Sequence, residues 1–132
     1  MERIHMDIKS LSGKNPPEVQ AEAIKYFSDP AHIDPKALAQ PGGKEYWYNA
    51  ARCLIAIGYP ANRNALLGMF AWLQDLTWPG ATPTFDYLGT LPRTDIAEPL
   101  TDALRAAERE KDEEWRINLK YFAEKNGIEI AD

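Results

Sequence analysis

The sequence predicts an all-α fold, and three observations carry that prediction. Apolar residues recur three, four and seven positions apart almost throughout the chain. Helix start and stop signals bracket most of those runs. No segment alternates with the period of a strand; the nearest, "GIEIAD", is short and terminal. A chain of 132 residues is one domain of ordinary size. It divides into an N-terminal helix and loop over 1–43, repeat-like helices over 44–127 and a tail over 128–132. Its connections are a few residues long, as between neighbouring antiparallel helices.

The first helix is expected in "NPPEVQAEAIKYFSD", with proline in its first turn, where a missing N–H is harmless. Val19, Ala23, Ile24 and Phe27 fall on one stripe, and Asp29-Pro30 stops the run. In "IDPKALAQPGG", Asp34 caps a short turn that Pro35 opens and Pro41-Gly42-Gly43 closes. "KEYWYNAARCLIAIGYP" is the clearest helix: Trp47, Ala50, Ala51, Leu54 and Ile57 share a face, and Gly58 supplies a left-handed cap before Pro60. "ANRNALLGMFAWLQDL" follows, with Leu66, Phe70 and Leu73 on one face and Met69 and Trp72 beside it. After the Trp78-Pro79 break, "PTFDYLGTL" brings Phe85 and Leu88 together. "TDIAEPLTDALRAAER" places Ile96, Leu100, Ala103, Leu104 and Ala107 on one stripe, and Asp95 with Glu98 has capping-box spacing. The last helix starts at an Asp112 N-cap, carries Glu113 and Glu114 at its positive end and stops at Lys125-Asn126-Gly127.

Composition narrows the function classes. No apolar run is long enough to span a membrane, and the charged N-terminus lacks a signal-peptide core, so a cytoplasmic location is expected. One cysteine, Cys53, and two separated histidines, His5 and His32, leave neither a disulfide nor a Cys/His metal site. No metal and no cofactor is expected. There is no phosphate loop, nucleophile elbow or Cys–His signature, and we expect no enzyme activity. The net charge of −5 is concentrated in residues 64–104, where Arg93 alone opposes Asp75, Asp86, Asp95, Glu98 and Asp102. An acidic middle argues against nucleic acid, whose binding needs a basic footprint, and suits a basic protein partner.

The chain also echoes itself. "ALLGMFAWLQDLTW" aligns with "DALRAAEREKDEEW" at an offset of 37, matching Leu67 to Leu104, Asp75 to Asp112 and Trp78 to Trp115. One helix pair per period of that length is the mark of a short HEAT- or armadillo-like repeat. An irregular helical bundle with a fortuitous match is the alternative.

"WLQDLTWPGA" and the later "DEEW" resemble the signature of an uncharacterised bacterial family, the domain of unknown function family 5071. The resemblance covers residues 62–122 and is carried by Trp72, Leu73, Gln74, Asp75, Trp78, Pro79 and Ala81. Thr77 and Gly80 depart from it, and Gly80 is expected to weaken the following helix start. The resemblance implies a HEAT-like fold and no established activity.

Read from its residues, the motif is a joint. Asp75 lies near the negative end of a helix, where a carboxylate is unfavourable unless it accepts hydrogen bonds from the next helix or from an indole. Pro79 restarts a helix and pushes Trp78 into the gap. Asp112 and Trp115 repeat the arrangement. Asp75, Trp78, Pro79, Asp112 and Trp115 are therefore assigned to a structural hinge, the alternative being an aromatic and acidic patch that anchors a partner. Candidate partner-binding residues are Trp72, expected at the rim, with Asp86, Asp95, Glu98 and Asp102. Two binding functions follow as expectations. One is an immunity protein that neutralises a basic toxin through an acidic helical face. The other is an adaptor or regulatory subunit using an apolar patch around Trp72, Met69 and Phe70.

Overall fold

Six α-helices joined by short turns make up the regular structure of residues 6–130, the part of the chain that the computed structural model describes. They are α1 (Pro17–Phe27), α2 (Trp47–Ile57), α3 (Leu66–Ala71), α4 (Ala81–Leu88), α5 (Arg93–Arg109) and α6 (Glu113–Lys125). No strand occurs among the described residues, and the tail from Ile128 to Ile130 is irregular. The all-α class is as expected. His5 lies outside the described residues.

Helix α1 begins at Pro17 after a Pro16 cap and ends at Phe27, before Asp29-Pro30. Its buried stripe differs from the expected one. Ala23 and Phe27 are buried, but Val19 is exposed. Gln20 takes the inward position instead, because a polar side chain is needed there. Its Nε2 donates to the Asn15 carbonyl at 2.6 Å, and its Oε1 accepts from buried Asn49 of α2 at 2.9 Å. Asn49 also donates to the Leu11 carbonyl at 2.8 Å, tying the N-terminal segment to α2. Asp34 caps the turn Pro35–Leu38 through the Lys36 N–H and accepts from Asn64 Nδ2 at 2.7 Å. Gly58 has the expected positive φ of 77°, but its ψ of 161° turns the chain away rather than closing a left-handed cap.

The largest departure is at α3. One continuous helix was expected over "ANRNALLGMFAWLQDL". The structure has a 3-10 turn (Arg63–Ala65), six residues of α-helix, a second 3-10 turn (Trp72–Gln74) and then extended backbone at Asp75. An early stop leaves carbonyls without the N–H groups of a next turn. Side chains supply the donors. Trp115 Nε1 donates to the Phe70 carbonyl at 3.0 Å, Gln74 Nε2 to Ala71 at 3.0 Å and Asn118 Nδ2 to Leu73 at 2.8 Å. Two of these three donors project from α6, three residues apart and so on one face.

Helix α4 starts from Gly80, a residue whose helix propensity alone predicts a weak helix start. The structure corrects this. Gly80 has φ 89° and ψ −12°, and a Cβ there would sit 2.9 Å from Ala51 Cβ, 3.0 Å from the Trp47 carbonyl and 3.1 Å from Trp72 Nε1. Glycine is required both by the left-handed backbone and by the close approach of α4 to α2.

Helix α5 begins at Arg93, two residues before Asp95, with Pro92 at its N-cap and no side-chain cap. The capping box expected of Asp95 and Glu98 does not form, because both residues lie inside the helix rather than at its edge. Pro99 sits within α5 and removes the N–H that would pair with the Asp95 carbonyl. Helix α6 follows the expectation. Asp112 accepts from the Trp115 N–H at 3.1 Å, and Glu113 and Glu114 occupy the first turn. Gly127 (φ 67°) reverses the chain, and Ile128 N–H returns to the Ala123 carbonyl at 2.8 Å.

Helix α2 packs against α1 and α4, α3 against α5, and α5 against α6, while the Trp72–Gln74 turn rests on α6. Phe122 of α6 stands edge-on to both Phe70 (5.3 Å) and Phe85 (5.2 Å), which joins α3, α4 and α6 in one core. The sequence echo does not give equivalent surroundings. Leu67 is exposed where Leu104 is half-buried, and Trp78 is half-buried where Trp115 is buried. The six-residue α3 cannot present the same face as the 17-residue α5.

Gly80→Ala is expected to lower the unfolding free energy by about 2–4 kcal/mol, combining left-handed strain with overpacking. Gly127→Ala, with the same sign of φ but open space where its Cβ would lie, should lose only about 1–2 kcal/mol. Urea unfolding of both variants checks the contrast; equal losses would remove close packing as the reason for Gly80.

Candidate interaction groove

The four acidic candidates do not converge on one face. Asp95, Glu98 and Asp102, on one side of α5, line a groove of about 290 Å³ together with Tyr59, Arg63 and Leu67. Asp86 lies elsewhere, in a shallow depression with Leu76, Phe85, Tyr121 and Lys125. The structure thus brings Asp95, Glu98 and Asp102 together at one groove and places Asp86 apart from them. Helical spacing explains the division: positions 95, 98 and 102 share a stripe of one helix, whereas Asp86 belongs to α4.

Among the groove residues that sequence reasoning missed are Tyr59, Arg63 and Leu67. Leu67 is 46% exposed on α3, one position off the buried stripe of Leu66 and Phe70. That phase shift was visible in the sequence. Tyr59 and Arg63 come from the connection between α2 and α3, and no local pattern points to them. The Tyr59 phenol is pushed above its ordinary pKa, first by desolvation and then by the Asp95 carboxylate beside it, against the pull of Arg63. The groove thus sets three carboxylates against one guanidinium from its opposite wall. Asp102 also has Arg105 at 3.9 Å, a long and exposed contact of little energetic weight.

Trp72 is not a rim residue. It is fully buried, as are Met69 and Phe70, and its Nε1 donates to the Pro79 carbonyl at 2.8 Å. This overturns both the hot-spot assignment of Trp72 and the apolar patch built around it. A tryptophan flanking an apolar stripe goes inward when a carbonyl is available for its N–H.

The hinge residues have distinct tasks. Asp75 does not reach α4 or an indole. Its Oδ1 accepts from the Thr77 N–H at 2.8 Å and from the Thr77 hydroxyl at 2.6 Å, closing a tight local turn. Those two bonds, the hydroxyl first, hold its carboxyl below the usual range. Trp78 meets Trp47 edge-on at 5.0 Å, and Lys44 lies 5.5 Å from its ring. Pro79 is exposed and contributes its carbonyl to Trp72. Asp112 is a true N-cap, and Trp115 is buried, closing the end of α3.

Cys53 is buried in α2. Desolvation raises its thiol to about 11, with Ser28 and Arg52 pulling the other way, so the thiolate is scarce at neutral pH. Among the described residues, no group of three or more His, Cys, Asp or Glu side chains is placed to hold a metal ion. Among the described residues, no helix is long and apolar enough to cross a membrane. No family model, curated protein or solved structure matches the chain.

Trp115→Phe keeps an aromatic ring but removes the donor to Phe70 together with part of the buried indole. It should cost about 1–3 kcal/mol in chemical unfolding, the loss for a buried polar group deprived of its partner. The Asp75 turn gives a pH signature. Its folded pKa is depressed, so its contribution is present above the unfolded value of 3.8 and is lost as pH falls through the lower folded value. The melting temperatures of wild type and Asp75→Ala should accordingly differ at neutral pH and converge in strong acid; a difference that persists in acid would show that the carboxylate charge is not involved.

Proposed function

We propose that this chain is a non-catalytic protein-binding module that holds a basic segment of a partner in the groove between α3 and α5. The supporting observation is the placement of Asp95, Glu98 and Asp102 around one cleft with exposed Leu67 and the Tyr59 ring. Carboxylates arranged this way steer a cationic partner and fix its register, while the apolar contacts add the burial that slows release. The specific form we favour is an immunity protein that works in the cytoplasm by occupying the basic surface of a toxin. The acidic balance of residues 64–104 supports it.

An adaptor function is the second reading, and its apolar contact lies on α6. Ile117 and Tyr121 are 55% and 49% exposed, one turn apart on the same helix face.

Affinity capture with the tagged chain, followed by calorimetric titration of the captured protein, tests these readings. Glu98→Lys and Asp102→Lys should each weaken binding at least about tenfold, with a steep salt dependence. Asp86→Lys, away from the groove, should leave affinity within about twofold, as expected of a charge outside the contact. Loss of affinity on Ile117→Ser or Tyr121→Ser, with Glu98→Lys neutral, would favour the adaptor.

A further inference from the structure

The groove between α3 and α5 is more specific in shape and chemistry than a surface that merely attracts positive charge. At about 290 Å³ it is small for a ligand site, so what it encloses is a side chain rather than a whole helix. Asp95 and Glu98 stand three residues apart on α5, with Cβ atoms about 5–6 Å from each other, and present their carboxylates side by side. Among the described residues, no ion pair reaches either of them, whereas Asp102 has Arg105 at 3.9 Å. Arg63 lines the opposite wall without pairing with them, so the chain's own guanidinium does not take the place.

Pro99 adds a neutral acceptor. It has no N–H, so the Asp95 carbonyl one turn earlier loses its usual helical donor, and Pro99 itself lines the groove. The Tyr59 hydroxyl donates to the Asp95 carboxylate, which holds an aromatic ring beside these acceptors. Leu67, exposed on α3, offers apolar surface in the same cleft. Two free carboxylates, a carbonyl short of a donor, a ring and an aliphatic side chain thus meet in one place.

We propose that the side chain this groove selects is an arginine of the partner protein, its guanidinium on Asp95 and Glu98 against the Tyr59 ring and its methylene stem along Leu67. The assignment rests on the reading of the groove as the seat of a basic segment, and it names the residue that the segment inserts. A guanidinium suits the site better than an ammonium. Its planar fork spans two neighbouring carboxylates, where an ammonium is a point charge. It carries more N–H donors, enough to serve the Asp95 carbonyl as well. It also stacks on aromatic faces and is the more weakly hydrated of the two cations, so it gives up less on entering the cleft.

Blocked tripeptides with arginine, lysine or citrulline between two glycines, titrated into the isotope-labelled full chain, test the proposal. The amide resonances of Tyr59, Leu67, Asp95 and Glu98 report on the groove. The arginine peptide should bind at least about fivefold more tightly than the lysine peptide. The citrulline peptide, close to arginine in shape but uncharged, should leave those resonances in place. Tyr59→Leu should bring arginine and lysine within about twofold of each other, while Tyr59→Phe, which keeps the ring, should preserve the preference. Glu98→Gln, at an exposed position, should weaken the arginine peptide at least about threefold and does not depend on how the Tyr59 variants fold. Equal binding of arginine and lysine overturns the proposal, as does a preference that survives Tyr59→Leu, or a groove whose resonances neither peptide moves. The basic-segment reading fails on a different result: an affinity for the captured protein that Glu98→Lys and Asp102→Lys leave unchanged.

Discussion

The end of α3 sets the terms for the rest of the molecule. A helix that stops after six residues in a buried setting leaves carbonyls that water cannot reach, and each unpaired group would cost on the order of 1–3 kcal/mol. The chain answers with side-chain donors from Trp115, Asn118 and Gln74. Because two of these belong to α6, the position and rotation of α6 follow from the place where α3 ends. Phe122, on the same helix, then meets Phe70 and Phe85, so the aromatic core is assembled by the contact that satisfies the backbone. Packing and hydrogen bonding are two aspects of one constraint here.

The same local break fixes the other half of the molecule. Trp72 turns inward, finds the Pro79 carbonyl and leaves only room for a glycine at position 80. Through that glycine α4 comes within contact distance of Ala51 and the Trp47 carbonyl on α2. The stretch from Trp72 to Ala81 is thus a folded joint between two helical layers, and its tryptophans serve different sides of it.

Much of the architecture is legible in the sequence because it rests on local chemistry. Asp112 as a cap, Pro17 in a first turn and Gly127 past the end of α6 each act within a few residues of themselves. The all-α class follows from periodicity for the same reason. What the sequence hides depends on contacts between distant segments. Nothing near Ala71 announces that α3 stops there, since its missing donors lie about 45 positions on. Trp72 has the same pattern whether it faces solvent or Pro79. Gly80 counts against a helix by propensity and is indispensable by packing. The groove is half legible: Asp95, Glu98 and Asp102 share a helical stripe, but Tyr59 and Arg63 reach it only through tertiary folding.

The four tryptophans give the molecule an optical division of labour. Trp72 and Trp115 are enclosed, each with its indole N–H on a backbone carbonyl, while Trp47 and Trp78 form a half-buried edge-on pair with Lys44 nearby. None lines the cleft between α3 and α5, whose aromatic residue is Tyr59. Indole emission is therefore a reporter of the helical core and of the joint, since no indole forms part of the wall of that cleft.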